Sequence, residues 1–92
     1  MVVVRGLNSR LFMYRKSDWY KVLKILDEIQ TRKETSKVFK RYIELMKNSA
    51  SESQVSSKGK LTIPYYLREY ADISRKNIHF AWVGNRLEIY SH

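Results

Sequence analysis

Apolar residues recur along the chain at two spacings, and the change from one to the other marks out its elements. Val2, Val3 and Val4 are contiguous and β-branched, and with Arg5 they predict a strand. Gly6-Leu7-Asn8-Ser9 is a turn cluster, and Leu11 to Tyr14 predicts a second short strand. From Ser17 the spacing becomes helical. Trp19, Val22, Leu23, Leu26 and Ile29 fall on one face, and Lys21, Lys24, Asp27 and Glu28 mostly on the other. Ser17 offers an N-cap, Asp18 suits the first turn, and the helix is expected to end near Thr31. A second helix is expected from about Thr35 to Lys47, with Val38, Phe39, Tyr42, Ile43, Leu45 and Met46 as its apolar set.

Between Asn48 and Ser57 the composition turns to Ser, Glu and Gln. This stretch suits a linker, or an edge strand with Ala50, Glu52, Gln54 and Ser56 on one face. A strand from about Glu52 is preferred, because a Lys-Gly turn and the apolar run Leu61-Thr62-Ile63 follow directly, as in a hairpin. Pro64 is tolerated at the first position of a helix, and Tyr65 to Ala71 predicts a short one. Residues 77 to 83 predict a strand, Gly84-Asn85 a tight turn, and Arg86 to Tyr90 the last strand.

The chain carries a weak internal repeat. Val2 to Tyr14 aligns without a gap on Ile78 to Tyr90, an offset of 76 residues. Arg10 meets Arg86, Leu11 meets Leu87, Met13 meets Ile89 and Tyr14 meets Tyr90. Each copy is a strand, a turn, and a strand ending in Arg-Leu-x-apolar-Tyr. The second copy is preceded by the Lys-Gly-Lys turn, the Leu-Thr-Ile run and the Pro-led helix; the first copy has no such unit before it.

Composition narrows the classes. At 92 residues one domain is the ceiling, and 43% hydrophobic with 13% aromatic residues is too apolar for a disordered tail. A net charge of +9, from 18 Lys and Arg against 9 Asp and Glu, favours a polyanionic partner. With no cysteine there is no disulfide framework, thiol nucleophile or cysteine metal site. No run approaches the roughly 20 apolar residues that span a bilayer, so no membrane partner is expected and the chain reads as cytoplasmic. His79 and His92 are the only histidines, and no spacing of His, Asp and Glu suits a metal. No nucleophile motif or Gly-rich phosphate loop appears, so neither an enzyme nor a cofactor is expected.

"GKLTIPYYLREYADI" (59–73), followed by "VGNRLEIY" (83–90), resembles the second half of the MraZ family, bacterial DNA-binding transcriptional regulators. "VVVRGLNSRLFMYRKSDWYKV" (2–22) resembles the end of that family's first half, and the stretch through Phe39, Arg41 and Tyr42 its connecting helices. The resemblance implies an α+β fold: an AbrB-like swapped-hairpin β-barrel, incomplete here, with two connecting helices and one short helix. In one MraZ-like domain, residues 1–16 would end the first half-repeat, 17–48 form the helical connection and 49–92 the second half-repeat. The family's first strand, first turn motif and first short helix have no counterpart, so an N-terminal truncation or a misassigned start is implied. The family also implies double-stranded DNA as partner, a homo-oligomer (a ring in particular), nucleoid association, and action on its own division and cell-wall promoter.

The family turn is Asp-x-x-Gly-Arg; here it reads Ser56-Ser57-Lys58-Gly59-Lys60. Ser57, Lys58, Gly59 and Lys60 are the implied DNA-contacting residues. A glycine at a hairpin tip takes positive φ and lets the backbone approach a partner. Lysine meets phosphate as a point charge, whereas arginine would read a guanine edge through two bonds, so Lys60 should keep affinity better than base specificity. Ser56 can cap the turn as Asp would, more weakly. The plainer reading makes Lys58 and Lys60 solvated edge lysines that block aggregation. The helical lysines read as a solvated face. Arg5, Arg10 and Arg86 read as turn supports or partners of acids, and most aromatics as core or subunit interface. Tyr65 and Tyr66 remain candidates for stacking on unpaired bases, in an RNA-binding alternative. A further alternative is an oligomerisation module without specific DNA recognition.

Overall fold

The computed structural model describes residues 1–73 and 78–91. Its elements run β1 (Val2–Arg5), β2 (Leu11–Tyr14), α1 (Lys16–Thr31), α2 (Lys37–Asn48), β3 (Ser51–Glu52), α3 (Tyr65–Tyr70), β4 (Ile78–Val83) and β5 (Arg86–Ser91). The strands form one antiparallel sheet in the order β3-β1-β2-β5-β4. The class is α+β, with three helices on a five-stranded sheet.

Side chains alternate across the sheet and build two apolar layers. On one face Val2, Val4, Phe12 and Tyr14 pack with Trp19 and Met46 from the two long helices. On the other, Val3, Leu11, Met13 and Ile89 pack under Leu67 and Ala71 from the α3 region. β1 and β2 are thus covered on both faces, which is why Val2-Val3-Val4 is apolar without alternation.

α1 begins earlier than its expected cap. Trp19 N–H donates to the Arg15 carbonyl, so Ser17 lies inside the helix and Arg15 takes the N-cap position without a side-chain bond. At α2 the cap is Ser36, whose Oγ accepts from Phe39 N–H at 3.1 Å. Thr35 turns back instead, donating its hydroxyl to the Ile29 carbonyl at the end of α1. The two helices are laced by Lys47, which bonds Asp27 and, at 2.8 Å, Gln30. Ser49 is buried at the end of α2. Its Oγ accepts from Arg5 N–H at 2.8 Å and donates to the Met46 carbonyl at 2.7 Å, fixing the helix end to β1.

The strand expected from Glu52 is short. Ser51 and Glu52 pair with β1, and beyond them a single bridge joins Val55 to Leu61. Leu61-Thr62-Ile63 is not a strand. Its Thr62 carbonyl accepts the Ser53 hydroxyl, and Pro64 has no N–H to extend a ladder. Residue 77, the expected start of the next strand, lies outside the described residues.

The repeat is a real symmetry of the sheet. Leu11 lies opposite Ile89 and Met13 opposite Leu87, pairs that exchange under the 76-residue offset; Phe12 opposite Glu88 maps onto itself. A pseudo-two-fold axis normal to the sheet therefore passes between Phe12 and Glu88. The turns correspond in position but not in type. Asn8 and Ser9 take φ of 56° and 58°, a type I′ pattern, whereas in the second turn Gly84, the counterpart of Asn8, takes 60° and Asn85 is not in the positive-φ region, as in type II′. A second difference breaks the symmetry. Gly6 N–H donates to the Arg10 carbonyl while Arg10 N–H donates to the Leu7 carbonyl, so two residues oppose one in a bulge. β4 and β5 pair without one, from Ile78 opposite Ser91 to Val83 opposite Arg86. The one-residue slip turns β4 over relative to β1. Ile78, Phe80 and Trp82 consequently share the α3 face, opposite Ser91, Ile89 and Leu87.

Candidate nucleic-acid interface

The stretch 56–60 is a closed turn. Gly59 N–H donates to the Ser56 carbonyl at 2.9 Å, and Ser56 N–H to the Lys60 carbonyl at 2.8 Å. Gly59 takes φ +78°, which an L side chain resists, and the space where a Cβ would stand is open. Ser56 Oγ accepts from Lys58 N–H at 3.3 Å and Lys60 N–H at 3.0 Å. The serine hydroxyl thus makes the local bond to the residue two places on, and reaches Lys60 as well.

Ser57, Lys58, Gly59 and Lys60 are all exposed, and the structure brings them together in this one turn. Neither lysine is in an ion pair among the described residues. Each ammonium is therefore uncompensated at short range, on a backbone held rigid by four hydrogen bonds. Such a turn can meet an anion with little ordering cost.

Nearby aromatics divide. The Tyr66 hydroxyl donates to the Ser49 carbonyl at 3.0 Å, which ties that ring to the end of α2. Tyr65 is more open, at 69% exposure, with the Arg68 guanidinium 5.7 Å from its ring centre. The Tyr70 hydroxyl donates to the Gly6 carbonyl at 2.5 Å, and Arg5 lies 4.2 Å over the Tyr70 ring. Tyr66 and Tyr70 thus anchor the turn-bearing segment to β1 and α2. Phe80 and Trp82 are not core residues; they are 62% and 66% exposed, on the strand at the end of the sheet order.

The two repeated arginines are structural. Arg10 donates to Glu88 at 2.9 Å, and Arg86 donates to it at 2.9 and 3.1 Å. Arg10 also lies 4.1 Å over the Tyr90 ring. Arg86 is directly opposite Tyr14 and lies 4.4 Å over the Phe12 ring. The shared Arg-Leu-x-apolar-Tyr pattern has a geometric reason: across the pseudo-axis, the arginine of each copy sits beside the tyrosine of the other. Burial works to raise the pKa of Glu88, but the hydrogen bonds and charges of Arg10 and Arg86 outweigh it and hold the carboxyl below its usual range. Burial lifts the Tyr14 hydroxyl above its usual pKa, with Arg86 working against it. Arg10 and Arg86 carried a sequence signal for this clamp, as acid partners; Glu88 had none beyond its place in the second repeat.

Other charges stay apart. Lys16 pairs with Glu52 at 3.2 Å and Arg41 with Glu44 at 3.3 Å. Lys21, Lys24, Lys33 and Lys37 are exposed on the helical pair. Among the described residues no group of three or more His, Cys, Asp or Glu is placed to hold a metal, and no helix is long and apolar enough to cross a membrane.

These features define an α+β protein whose sheet joins two related hairpins and whose exposed basic turn precedes the second of them. No family model matches the chain. It is 32% identical over 90 residues to the transcriptional regulator MraZ of Halothermothrix orenii, and equally to that of Caldanaerobacter subterraneus. Against the MraZ of Natranaerobius thermophilus it is 29% identical over 90 residues. Each match covers 98% of this chain and 60% of the relative. The chain is similar to these MraZ proteins along nearly its whole length and spans about three fifths of theirs.

Proposed function

We propose that this chain is a DNA-binding transcriptional regulator of the MraZ type and not an enzyme. It meets duplex DNA through Ser57, Lys58, Gly59 and Lys60. The observation that carries the reading is the turn: two exposed lysines without acid partners, on a backbone closed around a positive-φ glycine. The relatives named as transcriptional regulators supply the class. Lys58 and Lys60 hold phosphates, and the bare glycine lets the backbone come close. A single turn of this kind makes few contacts, so affinity is built by several chains on one DNA, in a closed oligomer such as a ring. The target is the promoter of its own division and cell-wall operon, and the place of action the cytoplasm, on the nucleoid.

We further read the fold as one AbrB-like domain of swapped hairpins, with half-repeats at 1–16 and 49–92 around the helical connection 17–48. Support comes from the segment bearing the turn. It adds a strand to β1, with Ser51 opposite Val3 and Tyr70 bonded to Gly6, and reaches across the sheet to pack Leu67 and Ala71 on Ile89 of the hairpin that follows it in sequence.

The test is fluorescence anisotropy with a duplex from the chain's own upstream region and a scrambled duplex, across a salt series. A preference for the native duplex that persists in salt is expected. Equal, salt-sensitive binding to both removes sequence recognition and leaves the second reading, an assembly module. That reading is favoured by one observation, the exposed Phe80 and Trp82 on β4.

A further inference from the structure

The first hairpin ends in a tip that the lysine turn does not involve. Leu7, Asn8 and Ser9 are exposed there, Leu7 by 54%. The tip is closed by two backbone bonds, from Gly6 N–H to the Arg10 carbonyl and from Arg10 N–H to the Leu7 carbonyl. Its shape is therefore set before any partner arrives.

An arginine stands on each side of this tip. Arg5 follows Val3 by two residues and shares its face, and its guanidinium lies 4.2 Å over the Tyr70 ring. Arg10 is on the opposite face, where it reaches Glu88 and lies 4.1 Å over the Tyr90 ring. The two are close along the hairpin, since Arg5 is directly opposite Leu11. A guanidinium laid on a ring keeps its N–H groups in its own plane and has already given up much of its rotamer freedom. Tyr70 is held in turn by its bond to the Gly6 carbonyl, and the Arg5 backbone by its N–H to Ser49 Oγ.

The donors of these two side chains are not used up. Arg5 is in no ion pair and makes no side-chain hydrogen bond among the described residues. Arg10 directs one nitrogen to Glu88, and its side chain is 40% exposed. Its counterpart Arg86 directs two nitrogens to the same carboxylate. Two guanidiniums on one carboxylate leave a net positive charge on the clamp, and Arg5 adds another beside it. The second hairpin has no such pair, because Gly84-Asn85 is flanked by Val83 and by the fully engaged Arg86. The pseudo-symmetry is thus broken in charge as well as in register.

Planar, forked donors suit phosphate oxygens, and a major groove admits a two-stranded ribbon between its phosphate walls. We propose that the tip at residues 7–9 is a second contact with duplex DNA, in which Arg5 and Arg10 hold phosphates on opposite sides of the ribbon. This inference rests on the duplex-binding reading and deepens it, adding to the lysine turn a contact made by arginines that are already ordered.

The test is the anisotropy salt series on the full chain and on Arg5→Ala, Asn8→Asp and Lys21→Ala, with circular dichroism of each. Asn8→Asp sets a carboxylate at the tip and leaves both arginines and the closing bonds in place. Aspartate accepts the positive φ of that position, so this variant reads the contact even where Arg5→Ala does not fold. Lys21→Ala makes the same unit change in charge on the exposed face of α1. Arg5→Ala is expected to lower the slope of log affinity against log salt by about one. Asn8→Asp is expected to weaken duplex binding most at low salt, and Lys21→Ala to leave affinity and slope near those of the unaltered chain. Unaltered affinity and slope in Asn8→Asp, or in an Arg5→Ala that folds, overturn the contact, as do equal effects in all three. Lys60→Ala judges the turn separately. Loss there with none at the tip overturns this inference alone, and loss at the tip with none at Lys60 keeps the tip and removes the turn. An unaltered chain that binds no duplex overturns both.

Discussion

Glu88 is the residue on which most of the charged architecture turns. It lies on the pseudo-axis, 6% exposed, between two arginines from the two repeats. Glu88→Gln keeps one acceptor oxygen but removes the charge and sets an NH2 donor against a guanidinium. With both arginines partly exposed, it should cost about 1–3 kcal/mol, the range for hydrogen bonds to charged groups, measured by urea unfolding at neutral pH. The pH dependence has a definite sign. A folded pKa below the unfolded one means that the unfolded chain binds the proton more readily. The contribution is therefore full above the ordinary carboxylate range and is lost as pH falls through that range to the lower folded pKa. In Glu88→Gln that part of the acid loss should disappear. Tyr42 gives the opposite case. Its hydroxyl is buried with no partner among the described residues, and burial raises its pKa. Tyr42→Phe should stabilise the fold by about 1 kcal/mol, since an unmatched polar group is removed. Equal or lower thermal stability of that variant would show that the hydroxyl is satisfied in solution.

At the scale of elements, the bulge at Gly6 and Leu7 matters most. It sets the register of the first hairpin and so decides which side of β1 meets α3. Gly6 is required there by packing: a Cβ would lie 2.5 Å from the Phe12 ring. Gly6→Ala should destabilise by about 1–3 kcal/mol, the usual cost of overpacking a core, and the shift should appear in Phe12 ring resonances. The positions of most elements were legible beforehand, because strand spacing in Val2–Arg5 and helical spacing from Trp19 to Ile29 are local signals. The bulge was not. Gly6 announced a turn, but only the bonds from Gly6 to Arg10 and from Arg10 to Leu7 distinguish a plain turn from one with an extra residue. The cap at Arg15 and the missing strand at 61–63 escaped for a related reason. At Arg15 the helix starts with no side-chain cap, so no residue type marks it, and at 61–63 the Thr62 carbonyl is taken by the Ser53 hydroxyl rather than by a ladder.

For the whole molecule, charge and symmetry set the behaviour. A chain at +9 should bind any duplex at low salt, with affinity falling steeply as salt is added. Lys60→Ala should lower the slope of log affinity against log salt by about one per turn engaged. An unchanged slope would exclude Lys60 from the contact. The same substitution should leave stability nearly unchanged, since Lys60 is exposed and only its backbone N–H and C=O are used in the turn.

The sequence by itself determined most of the elements, the repeat and the basic turn, and carried the resemblance to MraZ, because each lies in neighbouring residues or in spacing along the chain. It also marked Ser56 as the turn's cap, since that bond closes within four residues. Only the tertiary structure decided that the repeats are related by an axis through Phe12 and Glu88. Only it brought Arg10 and Arg86 onto one carboxylate and left Phe80 and Trp82 in the open. Those outcomes depend on registers between strands up to 78 residues apart, and a register is fixed by the packing of whole faces, which no local pattern encodes.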